Sequence, residues 1–258
     1  MVASTMLVGC QRQARSNLGG PEALKVRVLA EHPHDPEAFT QGLVWFRGKL
    51  LESTGLHAHS GVRRWDPSTG IVELAGHLPD DIFGEGLALV GRDLVQLSWR
   101  NGKAFYWDLM TLRLLKEVRY EGEGWGLCYD GIRLVMSDGS DKLVFRDPKT
   151  FAIIGQVQVR KQGQPVNHLN ELECVADQVY ANVWQTDYIA RINAHTGEVT
   201  GWIDASNLLA APDRRGADVL NGIAYVPETE RFILTGKNWP KIFVVEFVAA
   251  ESASGGQP

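Results

Sequence analysis

The sequence lacks the patterns that mark several large classes of protein. No apolar run approaches the roughly 18 residues of a membrane-spanning helix. Lys and Arg are dispersed through a chain of formal net charge -5, so there is no basic stripe and nucleic acid is not an expected partner. The seven histidines show no H-x-x-x-H or Cys-paired spacing, which gives a zinc site little support. No G-x-S-x-G elbow, phosphate loop or dinucleotide-binding fingerprint is present.

Cysteine is also scarce, with three in 258 residues. Cys128 and Cys174 fall on predicted inner strands of neighbouring repeats, at different offsets from the repeated residue described below. They are therefore expected on opposite strand faces, and the sequence predicts no disulfide between them. Two buried thiols and one in the N-terminal segment do not decide between a reducing and an oxidising compartment.

The sequence does contain a repeated β-hairpin. In its clearest copy, the apolar run Phe83–Val90 is joined by a turn to a second apolar run that ends at Ser98-Trp99. Five copies can be aligned on the residue that precedes a glycine (or, in one copy, a glutamate) and an aliphatic residue. We call these aligned residues the column; they are Gln41, Glu85, Trp125, Asn170 and Asn221. Successive members are 44, 40, 45 and 51 residues apart. This period is that of a propeller blade, and the innermost strand of each blade lines the central channel. The sequence predicts an all-β, five-bladed β-propeller with the column at one mouth of its channel.

The turns and the chain ends fit the same fold. Asp or Asn begins a tight turn after each of four hairpins, as in Trp65-Asp66-Pro67-Ser68-Thr69-Gly70, which predicts turns between the outer two strands of a blade. Alternating strands at Leu24–Leu29 and Ile242–Phe247 are expected to share one blade and close the ring. The predicted catalytic domain spans 22–249, and the small polar residues 250–258 are predicted to be a disordered tail.

Residues 1–21 are predicted to lie outside the propeller. Leu7-Val8-Gly9-Cys10 resembles a bacterial lipobox, but the apolar segment is short and no Arg or Lys precedes it. Two interpretations stay open. The segment is the remnant of an export signal, with a periplasmic protein or one anchored by lipid at Cys10, or the match is fortuitous and the protein is cytoplasmic.

The column holds the main candidate for catalysis, Glu85. Gly84 and Gly86 are expected to leave room for a ligand, and Phe83 supplies an apolar wall that would raise the pKa of a carboxyl and suit it to proton transfer. The structural alternative is a Glu bound to backbone amides of the channel. Trp99 and Trp184 each lie 14 residues after a column member, so an antiparallel hairpin returns both to the same rim.

With three further rings these tryptophans form a predicted aromatic cup: Phe39, Phe83, Trp99, Trp125 and Trp184. Packing in the core is the alternative role for the tryptophans. Lys237 occupies the corresponding strand end of the fifth hairpin and is expected to face Glu85, although most lysines are simply surface residues.

Several of these motifs together resemble the plant and bacterial type of glutaminyl cyclase. They are Glu31–Leu43, Phe83–Gly86, Gly124–Leu127, Leu169–Glu173, Asn182–Trp184, Leu220–Tyr225 and Thr235–Trp239. The resemblance covers nearly all of residues 25–248. It implies a five-bladed propeller that converts an N-terminal glutamine to pyroglutamate with loss of ammonia.

The resemblance also implies roles for matching residues. Glu85, Lys237 and Gln41 are the expected catalytic groups, and the expected substrate-binding residues are Phe39, Phe83, Trp99, Trp125, Asn170 and Trp184, to which the column adds Asn221. The expected partner is a peptide or protein with N-terminal glutamine, acted on by a monomer. No cofactor or catalytic metal is required, although a structural cation in the channel is compatible with the fold.

Two other functions account for parts of the pattern. Glu85, Asn170 and Asn221 would be the calcium ligands of a metal-dependent propeller lactonase, although that family has six repeats. A non-catalytic propeller that serves as a binding platform would explain an aromatic rim but not a Glu85 and Lys237 pair.

Overall fold

The structure, a computed structural model, describes residues 20–250, and these residues are almost entirely β-strand. The first strand is β1 (Glu22–Pro33). Three antiparallel four-stranded sheets follow along the chain. They are β2 (Thr40–Phe46), β3 (Lys49–Thr54), β4 (Gly61–Trp65) and β5 (Val72–His77); β6 (Gly84–Val90), β7 (Asp93–Ser98), β8 (Lys103–Asp108) and β9 (Leu114–Arg119); and β10 (Leu127–Tyr129), β11 (Leu134–Met136), β12 (Lys142–Arg146) and β13 (Ile153–Gln158).

An eight-stranded sheet completes the fold. After the short pair β14 (Arg160–Lys161) and β15 (Gln164–Pro165), the chain forms β16 (Leu169–Val175), β17 (Gln178–Val183), β18 (Tyr188–Asn193), β19 (Val199–Asp204), a 3₁₀ turn at Ala211–Arg214, β20 (Leu220–Val226), β21 (Arg231–Gly236) and β22 (Lys241–Ala249). The strand order is β16-β17-β18-β19-β1-β22-β21-β20. Strand β1 pairs antiparallel with β22 and parallel with β19. The predicted pairing of the two terminal strands is confirmed.

The burial of the strands follows their position in each sheet. Inner strands such as β6 and β7 are buried on both faces, whereas outer strands such as β9 are mostly exposed. Apolar clusters lie between neighbouring sheets; one of them joins Leu87 and Phe105 to Leu51 and Val62 of the preceding sheet. The core is therefore a series of layers between sheets, which explains near-continuous apolar runs in the inner strands.

The predicted turns are observed between the outer strands of the sheets. Asp108 Oδ1 accepts from the backbone N–H groups of Met110 and Thr111, at 3.1 and 2.8 Å. Asp66, Asp147 and Asn193 make equivalent bonds in the other turns. These side chains close their turns locally, and the interpretation of this repeated motif as structural is confirmed.

A β-bulge interrupts the inner strand of four hairpins, which the sequence analysis did not anticipate. The ladder slips by one residue between Thr40 and Gly42, between Gly84 and Leu87, between Leu169 and Leu172, and between Leu220 and Ile223. A bulge reverses the side on which all later residues of the strand project.

The bulge in β16 explains one wrong prediction. Cys128 and Cys174 form a disulfide, with Cα atoms 5.5 Å apart. The expectation of opposite faces assumed uninterrupted alternation, but the extra residue before Leu172 turns Cys174 toward β10. The disulfide therefore covalently joins the third four-stranded sheet to the next hairpin.

Other predictions fall on residues that the structure does not describe. The lipobox-like segment with Cys10 and residues 251–258 of the predicted tail lie outside the described residues. No helix within residues 20–250 has the length and apolar character needed to span a membrane.

Candidate active site

Residues from each of the five predicted hairpins meet at one cavity of about 280 Å³. Every predicted site residue except Asn221 lines this cavity, and Asp218 lines it as well. The lining residues are Phe39, Gln41, Phe83, Glu85, Trp99, Trp125, Asn170, Trp184, Asp218 and Lys237.

The bulges place the column side chains at this cavity. Gln41, Glu85 and Asn170 lie at the slipped positions of β2, β6 and β16. An extra residue at a bulge leaves the ladder and re-aims its side chain. Trp125 also lines the cavity, but it lies in the segment just before β10 and not at a bulge. Its backbone N–H donates to Ser137 O at 3.0 Å.

The second strands of the hairpins supply the rest of the wall. Trp99, Trp184 and Lys237 each follow directly after the last residue of such a strand. Their backbone N–H groups donate to the carbonyls that precede the inner strands, at 3.0, 2.8 and 3.0 Å respectively. The three residues are therefore equivalent in the repeat, and the hairpin returns each to the rim where it began.

The rings of the aromatic cup meet edge to face. The ring centroids of Phe39 and Phe83 are 6.0 Å apart, those of Phe83 and Trp99 are 5.6 Å apart, and those of Trp125 and Trp184 are 5.5 Å apart. Such contacts restrict the rotation of each ring. The cup is thus a preformed apolar wall around one end of the cavity.

Glu85 and Lys237 are both only 5% exposed. Burial raises the pKa of Glu85 well above its usual value; Lys237 opposes this rise and Glu123 adds to it. Burial lowers the pKa of Lys237, against the opposing effects of Glu85 and Asp218. Lys237 Nζ also lies 4.8 Å from the centroid of the Phe39 ring. A carboxyl and an amine with converging pKa values are suited to holding and moving a proton.

Asn221 lies behind the cavity rather than in its wall. Its Nδ2 donates to Gln41 Oε1 at 3.1 Å and to the Thr40 carbonyl at 2.9 Å. Gln41 Nε2 in turn donates to Glu85 Oε1 at 3.0 Å. Asn221, which was predicted to bind substrate, is therefore not among the residues that line the cavity; its side chain holds Gln41, whose side chain in turn bonds to Glu85.

Asn170 offers an unpaired acceptor. Its side chain is buried, and its Oδ1 has no hydrogen-bond partner among the described residues. Its backbone is held firmly, since the Asn170 carbonyl accepts from Ser137 Oγ at 2.7 Å. A buried acceptor without a partner in the wall of a cavity is available to a donor on a ligand or to water.

The glycines beside Glu85 do not leave room for a ligand, and this expectation was wrong. A Cβ on Gly84 would lie 2.6 Å from Gln96 Nε2, and one on Gly86 would lie 2.4 Å from the backbone nitrogen of Leu127. Gly86 N–H donates to Trp125 O at 2.7 Å. The glycines instead allow the protein's own strands to approach closely.

Two acidic residues at the site were not predicted. Asp218 lines the cavity three residues before Asn221, and Glu123 lies two residues before Trp125. Glu123 Oε2 accepts from Trp99 Nε1 at 2.9 Å and from Trp125 Nε1 at 3.1 Å. The repeat could have pointed to Glu123, because it lies two residues before its column member Trp125, as the site residues Phe39 and Phe83 lie two residues before Gln41 and Glu85.

Among residues 20–250, no group of three or more His, Cys, Asp and Glu side chains is arranged to hold a metal ion. The three groups that a calcium-dependent lactonase would require are also separated, because Asn221 is engaged with Gln41 behind the cavity while Glu85 and Asn170 line it.

Known proteins resemble the chain over most of its length. The sequence profile of a family described as glutamine cyclotransferase matches residues 1–247. A glutaminyl-peptide cyclotransferase of Arabidopsis thaliana is 43% identical over 236 residues, which cover 90% of this chain and 74% of that protein. The crystal structure of Myxococcus xanthus glutaminyl cyclase matches with a TM-score of 0.82 and 41% identity, over 90% of this chain and 100% of that one. This chain therefore belongs to the glutamine cyclotransferase family.

Proposed function

We propose that the protein is a glutaminyl-peptide cyclotransferase that converts the N-terminal glutamine of peptides or proteins to pyroglutamate and releases ammonia. The observation that carries the proposal is the cavity itself, in which an aromatic cup adjoins a buried Glu85 and Lys237 pair. Relatives at 43% and 41% identity are named for this activity.

The cup would hold the glutamine in a curled conformation. For the α-amine to attack its own γ-carboxamide, the flexible side chain must fold back on the backbone. A narrow apolar cavity favours such a near-attack conformer, which lowers the entropic part of the barrier. Asn170 Oδ1, which has no partner among the described residues, would accept an N–H of the substrate.

Glu85 would transfer the proton that the reaction moves. A bond forms between the α-nitrogen and the δ-carbon, and the bond from that carbon to the amide nitrogen breaks. One proton must leave the attacking amine and one must reach the departing NH₂ group, so that ammonia is released. A single carboxyl that accepts and then donates this proton is sufficient, and the raised pKa of Glu85 makes it a stronger base than an ordinary carboxylate.

Lys237 would stabilise the negative charge that develops on the carbonyl oxygen as that carbon becomes tetrahedral. Gln41 is less available for this task, because its Nε2 already donates to Glu85. A donor fixed in a buried site acts strongly on developing charge. We propose that these groups are sufficient without a metal or cofactor and that a cation in the channel, where one is bound, has only a structural role.

We also propose that the fold is a five-bladed propeller whose terminal strands share a blade. The support is that the described strands, apart from the short β14 and β15 pair, fall into five groups of four once the eight-stranded sheet is divided at the parallel β19 and β1 pair. We further propose that the active protein is a monomer. Light scattering of the active enzyme tests the monomer.

Ammonia release from a peptide that begins with glutamine tests the activity. We expect turnover that persists in EDTA, and none with a peptide whose α-amine is acetylated, because acetylation removes the nucleophile. A folded protein that releases no ammonia from unblocked peptides would contradict the proposed function. Loss of activity in EDTA with recovery on adding a metal would contradict only the metal-independent chemistry.

A further inference from the structure

Glu123 lies between the two groups of rings that make up the aromatic cup. Ring contacts join Phe39, Phe83 and Trp99 on one side and Trp125 and Trp184 on the other. Between these two groups lies the Glu123 carboxylate, whose Oε2 accepts from both Trp99 Nε1 and Trp125 Nε1. One oxygen atom therefore links indoles that belong to different sheets.

The other oxygen of the same carboxylate is also engaged. Glu123 Oε1 accepts from Arg100 Nε at 2.9 Å, and the Arg100 guanidinium lies 3.9 Å from the centroid of the Trp99 ring. Burial by itself would raise the pKa of Glu123, but the hydrogen bonds from Trp125, Arg100 and Trp99 hold that pKa below its usual value. Glu123 is thus held as an anion, and charge-assisted hydrogen bonds are stronger than neutral ones.

We propose that Glu123 is a positioning residue of the site, whose carboxylate sets the separation and tilt of Trp99 and Trp125 and so the width of the aromatic cup. This proposal rests on the proposed function for its consequence in catalysis. The hydrogen bonds themselves are independent of that function. Glu123 does not line the cavity and acts on substrate through the two indoles.

The position of Glu123 gives it a second, electrostatic effect. Glu85 faces Lys237, Glu123 and the Tyr120 hydroxyl, and Lys237 also faces Asp218. The negative charge of Glu123 contributes to the raised pKa of Glu85. Removing that charge lowers the pKa of Glu85, so the limb of the pH profile that reports Glu85 moves to lower pH. Loss of packing alone would not move that limb.

The test variant is Glu123→Gln, which keeps the size of the side chain but removes its charge. The amide presents one oxygen to the indoles and turns an NH₂ group toward Arg100, which is itself a donor. Because the two indoles lose their shared charged acceptor, we expect kcat/KM for a Gln-peptide to fall about tenfold, mainly through KM. The matched control is Glu117→Gln, which removes an equal charge from an outer strand, where Glu117 pairs with Lys103.

Two further measurements separate positioning from general damage. In spectra of ¹⁵N-labelled tryptophan, the Nε1–H resonances of Trp99 and Trp125, assigned with Trp→Phe variants, should both shift in Glu123→Gln. In a double-mutant cycle with Trp125→Phe, which keeps a ring but loses the N–H group, the two effects on KM should be clearly less than additive. If Glu123→Gln does not fold, Trp125→Phe alone should still raise KM several-fold.

The outcomes distinguish this inference from the proposed function. If the wild type does not release ammonia from Gln-peptides, the proposed function fails, and the indole resonances still decide whether Glu123 holds the two rings. Unmoved indole resonances, additive effects, or a KM and pH profile in Glu123→Gln that match those of Glu117→Gln would overturn the positioning role. In the event that only Trp125→Phe can be measured, an unchanged KM would overturn it.

Discussion

Two buried glutamates, Glu52 in β3 and Glu85 in β6, have pKa values shifted in opposite directions. Glu52 is fully buried and accepts from Arg63 Nε at 2.8 Å and from Thr40 Oγ1 at 2.6 Å, and His34 Nε2 lies 3.1 Å from its Oε1. Burial by itself would raise the pKa of Glu52, but Arg63 and His34 hold it well below its usual value.

Glu85 is nearly as deeply buried but less well compensated. Its Oε1 accepts from the neutral amide of Gln41, and Lys237 shares its cavity without overcoming the effect of burial on its pKa. The comparison teaches that burial alone does not set the direction in which the pKa of a carboxyl shifts. The direction depends on whether cations compensate the charge fully or leave the group able to gain and lose a proton beside a cavity.

The largest expected effect follows from Glu85→Gln, which keeps size and hydrogen bonding but cannot transfer a proton. General acid-base catalysis contributes about 10²- to 10⁴-fold, and we expect kcat to fall by that order with little change in melting temperature. Rates of ammonia release and a thermal melt of the same preparation measure both quantities. Turnover close to that of the wild type would show that the proton moves by another route, and Glu85 would then resemble Glu52 in being structural.

Glu52→Gln should show the reverse pattern. It leaves the largely buried Arg63 with Asp35 as its remaining carboxylate partner, and breaking a buried ion pair costs about 3–5 kcal/mol. For a chain of this size that corresponds to a fall of roughly 6–20 °C in melting temperature. The kcat of the folded enzyme should change only a few-fold.

The control for Glu52→Gln is Glu73→Gln, which breaks a partly exposed pair with Lys49. Pairs of this kind contribute about 0–1 kcal/mol, so its melting temperature should stay close to that of the wild type. Equal losses of stability in the two variants would remove the contrast between a compensated buried carboxyl and a surface one.

Trp184→Ala tests whether the cavity beside Glu85 binds the substrate. Burial of a large apolar group contributes roughly 1.5–3 kcal/mol, so we expect kcat/KM to fall about ten- to a hundredfold, with KM rising. Trp202→Ala is the matched control, because Trp202 packs on Tyr188 and Lys161 and does not line the cavity. An unchanged kcat/KM in folded Trp184→Ala would mean that the aromatic cup does not hold the substrate.

The smallest effect is a difference in how stability depends on pH. The pKa of Glu52 is lowered in the folded state, so its stabilisation is present above the unfolded value near 4.5 and is lost as the pH falls below it. The pKa of Glu85 is raised, so the wild type loses stability as the pH rises from about 4.5 toward the folded pKa. Relative to the wild type, Glu85→Gln should therefore gain melting temperature as the pH rises above about 4.5, and Glu52→Gln should lose it as the pH rises toward about 4.5. Parallel shifts in the two variants would contradict the assignment.

Much of the site was accessible from local patterns in the sequence. The hairpin repeat predicts strands and places one residue of each copy in a common column, because equal local patterns adopt equal local structures. It brought Gln41, Glu85, Trp125 and Asn170 to one cavity, and the spacing of 14 residues added Trp99 and Trp184. Asp and Asn turns were equally clear, since each side chain bonds to a backbone only two or three residues away.

Other features depend on pairing between distant segments, which the pattern along one strand does not report. A bulge adds one residue without any necessary change in composition, so the disulfide between Cys128 and Cys174 and the place of Asn221 behind Gln41 came only from the observed ladders. The glycines beside Glu85 were predicted to make room for a ligand, but it is the protein's own strands that approach them. The local sequence does not report which of the two occupies the space that a side chain would take. Glu52 and Glu85 also look alike in the sequence, since each is the single glutamate of its strand. The pKa of Glu52 is lowered by Arg63 and His34, whereas the pKa of Glu85 is raised by burial beside a cavity. These surroundings form only when the sheets pack.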